Sequence, residues 1–330
     1  MKKVLLMFFV IICFITCGCA KKTDEQILEK FSKKVENAKS YYLTGVLEMV
    51  NNETSYMYDV SVSYTKDNNF KVSLKNQSND HEQIILRNDD GVYVITPSLN
   101  KSFKFQSEWP YNNSQAYLLQ TILDDLKSDA DHTYASEDDK HIFTSKVNYS
   151  NNKELVSQKV TMNSDYELET VEVLDESGNV KIKMSFSDVD YNAKFNADYY
   201  SLEKNVSSEV PSAGEVSTIE DVIYPMYIPV NTTLSSQDKV NTSNGERVIL
   251  KFDGDSPFTF IQENTTVSSK FTTIPVNGEL VMLGDSIGVL DESSITWISD
   301  GMEYYLVSST LNDEELLEVA RSIGSIPVIK

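Results

Sequence analysis

From Tyr41 the chain takes on a period of two, and between Tyr56 and Thr65 it alternates strictly. Tyr56, Tyr58, Val60, Val62 and Tyr64 fall on one side, and Met57, Asp59, Ser61, Ser63 and Thr65 fall on the other. A period of two does not fit a helix, whose faces repeat every three or four residues, so this stretch is a strand with one apolar face. Lys66-Asp67-Asn68-Asn69 is rich in turn formers, and beyond it Phe70, Val72 and Leu74 alternate with Lys71, Ser73 and Lys75. The two stretches make an antiparallel hairpin. The same pattern predicts further strands over 82–87, 92–95, 101–106, 141–149, 155–162, 168–174 and 180–189, with Phe103 and Phe105 together on one of them and Trp109 just beyond. The short links between them predict antiparallel pairing.

Helical spacing appears in three places. Thr23-Asp24-Glu25-Gln26 has the form of a capping box, followed by Ile27, Phe31, Val35 and Ala38 on one stripe, which predicts a helix to about residue 40. Leu118, Ile122 and Leu126, flanked by Tyr117 and Leu119, predict a second over 114–126. A third starts near Asn312 with Glu315 completing its cap, buries Leu316, Val319, Ala320 and Ile323, and stops at Gly324. Residues 202–217 lose the alternation and gain breakers such as Pro211 and Gly214. The expected organisation is a first domain over 19–205, a linker over 206–217, and a smaller α+β domain over 218–330 with short strands near 248–252, 258–262, 279–283, 294–298 and 303–307. A chain of this length exceeds one ordinary core. The fold class is α+β, mainly antiparallel β.

Residues 1–18 read as a secretory leader: Lys2-Lys3, an apolar run from Val4 to Ile15, then Thr16-Cys17-Gly18. The run is shorter than the roughly 20 residues of a membrane helix. Cys19 follows directly, ahead of the polar Lys21-Lys22-Thr23, and the arrangement resembles the lipobox of bacterial lipoproteins, with Thr16 in place of the usual leucine. That resemblance implies lipid on Cys19, cleavage after Gly18, and an extracytoplasmic protein anchored to the cell membrane. All three cysteines, Cys13, Cys17 and Cys19, lie in this region, so the mature chain has no internal disulfide and folds by core burial.

The formal charge is −21, and loss of Lys2 and Lys3 makes it −23. This argues against a nucleic-acid partner, whose phosphates require Lys and Arg. His81, His132 and His141 are scattered without metal-ligand spacing, and the acidic run from Asp124 to Asp131 lacks the glycine and the terminal glutamate of a calcium loop. Asp253-Gly254-Asp255-Ser256 reads as a hairpin turn. With no nucleophile elbow, phosphate-cradling loop or mature free thiol, the chain is expected to bind and not to catalyse, and to need no cofactor or metal.

The run Gly91-Val92-Tyr93-Val94-Ile95-Thr96-Pro97-Ser98-Leu99-Asn100-Lys101, continuing into Phe105-Gln106-Ser107-Glu108-Trp109-Pro110, resembles the LolA-like lipoprotein-carrier proteins of Firmicutes, together with the leader, the first helix and the meander. The resemblance covers roughly residues 23–205. Ile295-Thr296-Trp297, with Asp300-Gly301-Met302-Glu303-Tyr304 and the last helix, resembles a small domain of unknown function at the end of extracytoplasmic bacterial proteins.

The first resemblance implies an open, incomplete β-barrel with helices over its concave side. It also implies a carrier that shields an acyl chain or a lipidated protein in a concavity formed by Tyr56, Tyr58, Val60, Val62, Tyr64, Phe70, Val72, Leu74, Phe103, Phe105 and Trp109. The alternative is an envelope module, of the kind found among stress regulators and spore germination lipoproteins, that docks a protein partner. On periodicity alone the same face is an ordinary sheet core packed by two helices.

Overall fold

The computed structural model describes residues 23–51, 54–206, 218–219, 221–242, 245–265, 271–299 and 301–323. The leader, Cys19, and 207–217 of the expected linker lie outside them. Helix α1 (Asp24–Asn37) starts at Thr23, whose hydroxyl caps the Gln26 amide while the Gln26 side chain returns to the Thr23 N–H. Strands β1 (Ser40–Asn51), β2 (Thr54–Thr65), β3 (Asn69–Asn76), β4 (Glu82–Asn88), β5 (Gly91–Thr96) and β6 (Lys101–Phe105) follow as a meander. Helix α2 (Leu119–Ser128) interrupts, and β7 (Thr133–Glu137), β8 (Lys140–Lys146), β9 (Leu155–Met162), β10 (Leu168–Asp175) and β11 (Val180–Asp190) form a second meander. Its last strand pairs back onto β1, with Leu47 opposite Met184.

The remaining chain adds β12 (Thr232–Thr242), β13 (Gly245–Gly254), β14 (Phe258–Asn264), β15 (Thr272–Val276), β16 (Glu279–Met282), β17 (Ile287–Asp291), β18 (Ser294–Ser299), β19 (Met302–Val307) and α3 (Asp313–Arg321). Two sheets result. The larger has twelve strands in the order β15-β6-β5-β4-β3-β2-β1-β11-β10-β9-β8-β7, and the smaller seven in the order β12-β13-β14-β19-β18-β17-β16. Neither closes into a barrel. Among the described residues every pairing is antiparallel except one: β15 runs parallel to β6, Ile274 opposite Phe103.

The core follows the alternation. Ile27, Phe31 and Val35 from α1, and Leu119, Ile122, Leu123 and Leu126 from α2, pack onto the face that carries Leu43, Val62, Phe70 and Val72. Burying each such side chain is worth about 1.5–3 kcal/mol. The opposite face is not uniformly wet. Ile84, Leu86, Tyr93 and Ile95 of β4 and β5 form a second cluster there, covered by Phe195, Tyr199, Tyr200 and Leu202. In the smaller sheet Phe260, Trp297, Tyr304 and Leu306 pack against Leu316, Leu317, Val319 and Ala320 of α3.

α2 begins later than its apolar spacing predicts. Residues 114–118 are instead held as a turn, because Thr121 Oγ1 accepts from the Gln115 amide at 3.2 Å and donates to the Gln115 carbonyl at 2.9 Å.

Candidate functional site

The structure brings together all eleven residues expected to form the concavity. Ten of them are buried at 9 % exposure or less, Val62, Phe70 and Val72 at 0 %, and Tyr64 packs against the same cluster. An aromatic ladder runs across this face: Tyr41 stacks on Tyr64 with centroids 5.0 Å apart, Tyr64 meets Phe70 at 4.9 Å, and Phe70 meets Trp109 edge-on at 5.9 Å. Tyr41 donates to Gln120 Oε1 of α2 at 2.7 Å, and burial raises its pKa well above the usual phenol value.

The other end of the face is covered by the smaller sheet. Ile287, Val289 and Ile298 join the same apolar cluster, the Tyr58 hydroxyl donates to the Gly284 carbonyl, and Gln83 Oε1 accepts from the Ile287 amide at 2.7 Å. Gly284 has φ +70°, and a Cβ there would sit 3.0 Å from the Tyr56 ring. A side chain there would be strained at that φ and would crowd the ring, which suits glycine. The face expected to be an open groove is therefore filled, by α1 and α2 at one end and by β17 and β18 at the other.

The open space lies at the seam between the sheets. A cleft of about 140 Å³ has an apolar wall of Met49, Leu155, Ile182, Leu280, Val281 and Met282. An adjoining hollow of about 170 Å³ shares Asn51, Asn151, Asn152, Glu154 and Arg321 with it and is bordered by Tyr227, Glu314 and Glu318. The cleft is smaller than the roughly 300–1,000 Å³ of pockets that engulf a small molecule. On its own it has room for individual side chains, and a larger hollow of about 410 Å³ shares Asn151 with it.

Its polar residues are only half used. The Asn51 amide donates to the Arg321 carbonyl at 3.2 Å and that of Asn151 to Glu279 at 2.8 Å. Asn113 Oδ1 accepts from the Ser150 amide at 2.9 Å, and Asn152 Oδ1 from the Glu154 amide at 3.2 Å. In each case the other end of the side-chain amide has no partner among the described residues. The Arg321 guanidinium forms no hydrogen bond or ion pair among them either; burial lowers its pKa, opposed by the charges of Glu154 and Glu318.

The remaining candidate groups have structural surroundings. His141 stacks on Tyr166 at 5.5 Å and its Nδ1 lies 2.9 Å from the Tyr134 hydroxyl, while Asp129 accepts from the amides of Asp131 and Lys146. Asp125 is hydrogen-bonded by Ser114 at 3.0 Å, and burial pushes its pKa up to about 7. Among the described residues no group of His, Cys, Asp or Glu is placed to hold a metal, and no helix is long and apolar enough to cross a membrane.

Sequence reasoning missed the cleft because its lining comes from six separate segments, none with a pattern of its own. The asparagine-rich 148–152 stretch was its only local sign.

An open, mainly antiparallel α+β protein, with a filled concave face and an amphiphilic cleft at the seam of two sheets, is the class these features define. The chain is 33 % identical over 324 residues, 97 % of its length and 96 % of the relative's, to the sporulation protein YdcC of Bacillus subtilis, and it belongs to that protein's family. No family model matches it. Similar solved structures include the Pseudomonas aeruginosa MucA/MucB complex, at 12 % identity and TM-score 0.34 over 89 % of this chain and 96 % of that one. They also include the LolA superfamily protein NE2245 of Nitrosomonas europaea, at 12 % identity and TM-score 0.32 over 56 % and 99 %. Likenesses at this level say nothing of activity.

Proposed function

We propose that the chain is a non-enzymatic lipoprotein of the cell envelope, lipidated at Cys19 and anchored to the outer face of the cytoplasmic membrane, that docks a protein partner during sporulation. One observation carries the choice of a docking role over an acyl carrier: the apolar face from Tyr56 to Trp109 is filled by the protein's own helices and second sheet, at 0 to 9 % exposure for all but Tyr64. A face packed to that degree favours docking over holding a hydrocarbon tail. The sporulation setting is taken from the B. subtilis relative, and the anchor from the leader.

Cross-linking in sporulating cells, followed by membrane fractionation, tests both parts. The expected result is one cross-linked protein in the membrane fraction, with a Cys19→Ala variant shifted to the soluble fraction or left uncleaved. Membrane retention of a cleaved Cys19→Ala chain would overturn the anchor, and a cross-linked product containing only acyl lipid would overturn the docking role.

A further inference from the structure

We infer that the strap from Tyr224 to Val230, with the acidic outer side of α3 beside it, is the surface on which the partner sits, and that the partner meets it with apolar side chains flanked by Lys or Arg. The inference rests on the docking role and adds the surface and the chemistry of what covers it.

The strap is the Tyr-Pro-Met-Tyr-Ile-Pro-Val run ahead of β12. Pro225 and Pro229 are buried, while Tyr224, Met226, Tyr227, Ile228 and Val230 are exposed, Met226 at 76 % and Val230 at 82 %. Leu234 extends the patch: it lies opposite Phe252, a residue of the core beneath α3, and so is on the same side of the smaller sheet. Apolar side chains scattered singly over a surface need no explanation, whereas a run gathered in one place marks a contact.

The strap is held firmly. Val222 and Ile223 pack onto the core beneath α3, and the Gln262 side chain clamps Ile223, accepting from its amide at 2.9 Å and donating to its carbonyl at 2.6 Å. The Tyr224 hydroxyl donates to Gln237 of β12 at 2.6 Å, and the Met226 amide donates to the Ser322 carbonyl at the end of α3 at 3.4 Å. Pro225 and Pro229 fix their own φ angles as well. The outward side chains are therefore in place before any partner arrives, and little conformational entropy is lost when it does.

Charge selects the occupant. Asp313, Glu314 and Glu318 are exposed on α3 and form no ion pair among the described residues. Tyr227 shares a hollow of about 170 Å³ with Glu314 and Glu318, and Glu314 borders a second, of about 410 Å³, with Asp313. Around these hollows the carboxylates of Glu154, Asp313, Glu314 and Glu318 stand against Lys153 and Arg321. An anionic bilayer is repelled by that border and by the formal charge of −21 on the chain. A second copy docked strap to strap brings the same carboxylates against one another. A protein with Lys or Arg around an apolar centre complements both parts of the surface, and the hollows have room for its long basic side chains.

The test places the photoreactive amino acid p-benzoylphenylalanine at Met226 or Val230 of the full chain in its source cells, with Glu137 on the edge strand β7 as the control position. The expected result is one protein cross-linked from Met226 and Val230 and not from Glu137, through a stretch that carries apolar residues together with Lys or Arg, as read by mass spectrometry of the joined peptides. Glu314→Lys combined with Glu318→Lys lowers the yield about tenfold, and washing at about 0.5 M salt before illumination lowers it too. With the probe at Val230, Met226→Ser lowers the yield severalfold; it changes only an exposed side chain, and it decides the matter if the double charge reversal melts early.

Cross-links to lipid alone, to a second copy of this chain, or to a protein stretch without Lys or Arg overturn the inference. So does a yield that the charge reversal and Met226→Ser leave unchanged. A partner caught from another position of the chain but not from the strap leaves the docking role standing and removes this surface. Failure to cross-link any protein from any position removes both.

Discussion

Asp125 sits on the inner side of α2, bonded by Ser114 and within 3.4 Å of Gln158 Nε2, and burial holds its pKa near 7. The unfolded chain releases that proton near pH 4, whereas the folded chain keeps it to about 7, so stability falls as pH rises through this window. Asp125→Asn removes the burden of the buried charge. Its melting temperature is expected to exceed that of the parent chain at pH 8, with the difference vanishing near pH 4, as read by thermal denaturation across pH; an unchanged difference at both ends contradicts the assignment.

At the same scale, Val60→Asp places a carboxylate inside the filled face, where an unpaired buried charge costs several kcal/mol. The expected outcome is loss of the folded state in circular dichroism, and a stable, folded Val60→Asp chain would mean that the face is open. The alternation made these inward residues legible one by one. Whether they were covered was not legible, because cover comes from α1, α2 and β17–β18, far away in sequence.

Elements with a local signal were the ones the sequence located. Both capping boxes formed, Thr23 with Gln26 and Asn312 with Glu315, and Thr23→Ala should cost about 1 kcal/mol in chemical denaturation. Strands β7, β12, β15 and β17 escaped. β12 is an edge strand of Thr, Ser, Gln and Lys that is exposed on both sides and shows no alternation. β15 contains Pro275 and pairs in parallel with β6, some 170 residues away, a contact no window of sequence contains.

The turn between β16 and β17 is where the two sheets meet. Gly284→Ala there must hold φ +70° and press a Cβ on the Tyr56 ring, an expected loss of about 1–3 kcal/mol by denaturant midpoint.

Across the whole molecule, β15 on the edge of the larger sheet, Lys101 paired with Glu303 at 2.9 Å, and Gln83 bonded to Ile287 tie the two sheets together. The sequence separates the chain into two parts at 206–217, yet their apolar clusters interlock through Ile287, Val289 and Ile298. With the concave face packed, the seam offers open space among the described residues.

Native mass spectrometry of a Cys19→Ala chain, purified without detergent from its source cells, tests that account most directly. It predicts the protein mass alone or with a bound polypeptide. A stoichiometric adduct of acyl lipid would contradict it.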